Sequence, residues 1–115
     1  MKKLLILALL PLSACAGSLD SVRERGDIRA TVEHPDFDVL VGCIGEKASA
    51  RYGLNYSPNT LGGSYSRSFV GIGGTSTMLV DVYRGDPAMA DIRTTGGPWL
   101  GQDNDLIKRV EECAG

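Results

Sequence analysis

The first fourteen residues of this 115-residue chain constrain its fold most, because they have the pattern of a segment that is removed before folding. Lys2 and Lys3 make a charged start and Leu4 to Leu10 an apolar run. Pro11 interrupts that run, and Ser13, Ala14, Gly17, Ser18 and Asp20 follow at once. A transmembrane helix needs about 20 apolar residues, so this stretch is too short to span a bilayer. It reads as a secretory signal with small residues where cleavage occurs. About 100 residues then remain, enough for one small domain and not for two.

The tetrapeptide Leu12-Ser13-Ala14-Cys15 resembles the lipobox of bacterial lipoproteins, in which small residues precede a cysteine whose sulfur receives a diacylglycerol before the signal is cut away. The resemblance implies a mature chain that starts at Cys15 and carries three fatty-acyl chains of the palmitate class. Each buried methylene contributes about 0.8 kcal/mol, so two or more chains hold a protein stably on a membrane. In enterobacterial lipoproteins an aspartate after the lipidated cysteine favours the inner membrane. Ala16 stands at that position, so the resemblance implies an outer-membrane protein facing the periplasm. The alternative is an ordinary secretory signal cut at Ala14 or Ala16, which leaves Cys15 incidental. The resemblance covers the signal and lipobox, and no family is recognised in residues 16 to 115.

Assigning Cys15 to the lipid leaves Cys43 and Cys113, and an even remainder in an exported chain implies one disulfide. Its alternatives are two separate buried thiols or, less readily, a metal site. His34 is the single histidine and neither cysteine has a close cysteine neighbour, so no metal or other cofactor is expected. Loss of Lys2 and Lys3 leaves ten Lys and Arg against 14 acids, a formal balance of −4. That balance argues against nucleic acid or anionic lipid headgroups as partners.

The expected organisation is a signal peptide at 1–14, a lipidated N-terminus with a short polar tether at 15–31, and one domain at 32–115. Between Pro35 and Arg51, Val39, Leu40, Cys43, Ile44 and Ala48 recur at helical spacing. Asp36 and Asp38 suit the start of that helix and Gly53 its stop. Gly42 and Gly45 weaken it by about 1 kcal/mol each, which suggests that another element packs closely there. Leu54 to Tyr56, Ser64 to Ile72, Thr77 to Arg84 and Ala88 to Thr94 read as strands, with turns at Gly73–Ser76 and Gly85–Pro87. Asp103 can cap a last helix in which Leu106, Ile107, Val110 and Cys113 share a face. The expected fold is therefore α+β, a two-layer sandwich of order α-β-β-β-α, or the same order with an extra short strand at Leu54, with an antiparallel sheet and both helices on one face, stapled by Cys43 and Cys113.

Chemistry is sparse. His34 with Asp36 and Asp38 is the one cluster suited to acid-base work, yet the acids already suit a helix start. No Gly-x-Ser-x-Gly element serves the many serines, and Gly71-Ile72-Gly73-Gly74-Thr75 lacks the lysine of a phosphate loop. Arg84-Gly85-Asp86 is ordinary turn chemistry. Trp99, in a Gly/Pro-rich loop, together with Tyr65 and Tyr83 forms a candidate binding surface, against the alternative that these rings pack the core. The expectation is a non-enzymatic, membrane-anchored envelope protein that binds another protein or cell-wall material. The alternatives are a lipid-anchored enzyme using His34, or an inhibitor or immunity-type protein.

Overall fold

A computed structural model describes residues 22–24, 26–71, 74–95 and 100–115. The expected signal peptide, Cys15, the first part of the expected tether, Gly73 of the first expected turn and Trp99 lie outside the described residues. The elements follow in the order β1 (Ile28–His34), α1 (Phe37–Ile44), a π-helical turn (Gly45–Ser49), α2 (Ala50–Tyr52), β2 (Asn55–Pro58), β3 (Gly62–Gly71), β4 (Gly74–Tyr83), β5 (Ala88–Thr95) and α3 (Leu100–Glu111). The strands form one antiparallel sheet in the order β1-β5-β4-β3-β2.

This overturns the expected α-β-β-β-α order. Among the described residues the sheet has five strands instead of three, and one of them, β1, precedes the helical stretch of α1, the π-helical turn and α2. Most of β1 falls in the stretch read as tether, because Arg29, Thr31 and Glu33 make it look solvated. In the structure these three are exposed, and Val32 between them is buried. Such alternation is what a strand with one wet face requires. The strand's partner is the last one made, β5, with Val32 opposite Ala90 and His34 opposite Ala88. Local pattern carries no trace of that long-range pairing.

Register places Val32, Ala90, Ile92, Met78, Val80, Val82 and Tyr65 on a common face of the sheet. Leu40 and Ile44 of α1 and Leu106 and Val110 of α3 pack with them in a single core. Fully burying each such side chain contributes about 1.5–3 kcal/mol. The entry to α1 is fixed by Asp36, whose carboxylate accepts from the Val39 amide at 3.2 Å. Gly53 ends the helical stretch in the left-handed conformation, with φ 65°.

The two glycines of this stretch have different roles. A Cβ on Gly45 would come within 2.8 Å of the Tyr65 hydroxyl, which donates to the Val41 carbonyl at 3.0 Å, whereas one on Gly42 would meet nothing within 4 Å. Close packing therefore holds at Gly45 and not at Gly42. The last helix also differs from its expected start. It begins at Leu100, so Asp103 lies in its first turn and is not the cap.

Cys43 and Cys113 form a disulfide, with Cα atoms 5.7 Å apart and a sequence separation of 70. A polar clasp runs beside it. The Tyr52 hydroxyl donates to Asp105, Arg109 Nε donates to the same carboxylate at 2.8 Å, and Arg109 Nη1 reaches the Lys47 carbonyl at 3.3 Å. Among the described residues no helix is long and apolar enough to cross a membrane.

On the chain-entropy account, closing a loop of this size stabilises the fold by about 4 kcal/mol. Thermal melting with and without reductant should show a markedly lower midpoint in the reduced protein; an unchanged midpoint would contradict this. Gly42→Ala should raise stability by about 0.5–1 kcal/mol in denaturant titrations. Gly45→Ala should give no gain, because it displaces the Tyr65 hydroxyl from its carbonyl.

Candidate functional site

The sheet face away from the helices carries a charged cluster. A residue at the middle of β4 must point to one face or the other, and in Thr77-Met78-Leu79-Val80-Asp81-Val82-Tyr83 the alternation sends Asp81 opposite to Val80 and Val82. Asp81 is nonetheless only 2% exposed. Ser64 on β3 is its direct cross-strand partner, and Arg93 on β5 stands diagonally across on the same face.

Both oxygens of Asp81 are consumed. Ser64 Oγ donates to Oδ1 at 2.7 Å and Arg23 Nη2 to the same atom at 2.7 Å, while Arg23 Nε donates to Oδ2 at 2.8 Å. Arg93 Nη1 approaches Oδ2 at 3.3 Å. Arg23 Nη2 also reaches Ser64 Oγ at 3.0 Å, and Asn59 Nδ2 donates to that oxygen at 3.3 Å. The Arg23–Asp81 pair has the two-pronged geometry that makes guanidinium–carboxylate contacts specific. It joins residues 58 apart in sequence and holds the helical turn at 22–24, with Val22 buried, against the sheet.

Burial alone would push the Asp81 carboxyl up. Hydrogen bonds from Arg23 and Ser64 and the charges of Arg23 and Arg93 outweigh it and hold the group below the usual carboxylate range. A carboxylate so surrounded by donors is a structural anion, with no lone pair left to take a proton from a substrate. Tyr83 borders the cluster. Its hydroxyl is pushed up by burial and then by the charge of Asp81, so it stays protonated near neutral pH. Arg23, Asp81, Tyr83, Asn59, Thr60 and Leu61 line an open cleft of about 320 Å³, with Leu61 63% exposed at its rim.

A second polar joint ties α3 to the sheet. Arg29 Nη1 donates to Thr94 Oγ1 at 2.9 Å, and Asp103, 3% exposed, bonds with the same Thr94. Burial raises the Asp103 carboxyl, and neither the Thr94 hydrogen bond nor the Arg29 charge fully offsets it.

The sequence-derived candidates are scattered by the fold. Tyr65 is buried, with its ring centroid 4.8 Å from that of Tyr56 and its hydroxyl tied to α1, so it serves the core instead of a surface. Tyr83 is half-buried at the cleft. Trp99 and Cys15 lie outside the described residues. His34 Nδ1 accepts from the Asp36 amide at 2.9 Å, which leaves the Asp36 carboxylate to its capping bond and Asp38 exposed in the first turn. The three therefore organise a strand-to-helix connection. Among the described residues no group of three His, Cys, Asp or Glu is placed to hold a metal ion.

The Asp81 cluster went unread in the sequence, although a signal was present. A charge inside the otherwise apolar run Met78 to Val82 has to find a partner, since an isolated buried carboxylate is too costly to keep ionised. What could not be read was that the partner would be Arg23, in a stretch assigned to the tether. Comparison with family models, curated proteins and solved structures gives no match for this chain.

Asp81→Asn should lower stability by about 3 kcal/mol, because two arginines lose the anion they were folded around. The stabilisation from Asp81 is complete above the unfolded carboxylate value of about 4 and is lost as pH falls from there through its lower folded value. Asp103 works in the opposite sense, costing stability as pH rises through its elevated folded value. Denaturant titrations across pH should therefore show a shallower acid limb in Asp81→Asn, and less loss between pH 4 and neutrality in Asp103→Asn. Profiles superimposable on the parent's would contradict both assignments.

Proposed function

We propose that this protein is a lipid-anchored component of the bacterial envelope, attached through Cys15 and carrying a small, non-enzymatic binding or structural domain. The observation that carries the non-enzymatic reading is that the side chains best suited to acid-base chemistry are already engaged. His34 and Asp36 close the turn into α1, and Asp81 is saturated by Ser64, Arg23 and Arg93. A general base needs a free lone pair within reach of substrate, and a chain built this way spends its ionisable groups on rigidity.

The anchor reading is supported by the lipobox-like Leu12-Ser13-Ala14-Cys15 and by the Cys43–Cys113 disulfide, a bond that persists in oxidising compartments outside the cytosol. Ala16 after the cysteine favours the outer membrane, with the domain in the periplasm. Candidate partners are an envelope protein or cell-wall material, met through the segment that carries Trp99.

Intact mass of the membrane-purified protein tests the anchor. The expected mass is residues 15 to 115 plus lipid, and Cys15→Ser should abolish acylation and leave an uncleaved precursor. Normal maturation of that variant would refute the lipoprotein assignment. A photo-crosslinker in place of Trp99 should give a defined adduct with an envelope protein or a cell-wall fragment, and His34→Ala should leave that adduct unchanged. Its loss in the His34 variant would favour the enzyme reading.

A further inference from the structure

The helical turn at 22–24 is docked, and this sets where the N-terminus leaves the domain. Val22 is 7% exposed and its carbonyl accepts from the Gly26 amide at 2.7 Å, while Arg23 is clamped on Asp81 at the wall of the cleft. Only six residues separate Cys15 from Val22 in sequence, a reach of at most about 25 Å even when fully extended. A chain that leaves beside the cleft on so short a lead keeps the cleft side nearest its point of attachment. We infer that the cleft face lies against the bilayer that holds the anchor, with the Asn59–Thr60–Leu61 rim in contact with the lipid headgroup zone and the disulfide-bonded helical layer turned away.

The chemistry of the rim suits that neighbour. Leu61 projects an exposed apolar side chain, flanked by the neutral polar groups of Asn59 and Thr60, and the Tyr83 hydroxyl and the Arg23 guanidinium stand just behind it. An apolar tip among neutral polar side chains matches the mixed polarity of a membrane interface. One leucine binds a membrane only weakly, and the acidic balance of the chain gives no long-range pull toward anionic lipid. The contact therefore depends on the anchor and on the Arg23–Asp81 clamp that aims it.

The inference rests on acylation at Cys15, and the experiment separates the two. Full-length lipidated protein is reconstituted in phosphatidylcholine vesicles containing a brominated phosphatidylcholine as quencher. A fluorophore is carried at Thr60→Cys on the rim or at Glu46→Cys on the exposed helical layer, and labelling without reductant preserves the disulfide. The rim probe should be quenched at least two-fold more strongly than the helical probe, and Arg23→Gln should abolish the difference. Asp81→Asn serves as a second release variant, with near-ultraviolet circular dichroism showing that each variant stays folded. Equal quenching at the two positions of the anchored parent protein, or stronger quenching at position 46, would overturn the orientation and leave the anchor intact. Failure of the parent protein to sediment with vesicles would overturn the anchor and the orientation with it.

Discussion

The covalent link between Cys43 and Cys113 is the constraint on which the rest of the structure leans. It joins the helix that opens the core to the segment just beyond the last helix, and every strand except β1 lies within the loop that it closes. A domain of this size has little apolar area to spare, and small exported domains commonly depend on such staples. The clasp of Tyr52, Asp105 and Arg109 lies alongside and keeps the same two helical segments in register. Leu40, Ile44, Leu106 and Val110 are thereby presented together to one face of the sheet. The core is assembled by the crosslink as much as by the packing.

The other face follows different rules. Leu79 and Asp81 are both fully buried there, an apolar and an ionised side chain two residues apart on one strand. Burying a carboxylate is unfavourable unless charge and hydrogen bonds replace the lost water, and Arg23, Arg93 and Ser64 do so together. Arg93 Nε remains without an acceptor among the described residues, a small residual cost of packing two guanidiniums around one anion. Such an arrangement is less forgiving than an apolar one, because removing any member strands the others. In return it selects one position for the N-terminal turn over all alternatives.

What the sequence made legible was what local rules govern. The disulfide followed from counting cysteines after the lipobox-like cysteine was set aside. The helix through Leu40 and Ile44, with its Asp36 start and Gly53 end, followed from periodicity and capping. The strand count did not, because β1 is polar at every second position and its partner lies about 60 residues away. Leucine at position 100 began the last helix ahead of Asp103, whose carboxylate was taken by Thr94 across the layers instead of by the helix end. Tyr65 read equally well as surface or core until its hydroxyl was found on the Val41 carbonyl. In each case a long-range contact decided between two local possibilities.

The strand order β1-β5-β4-β3-β2 also dictates when this domain can come into being. For a chain that crosses a membrane N-terminus first, β1 emerges early and then waits with an unpaired edge until β5 has followed it. Cys43 likewise waits for Cys113, 70 positions later. Neither the pairing of β1 nor the crosslink can close until β5 and Cys113 have followed. The topology thus defers commitment to the native state until β5 and the last helix are both available.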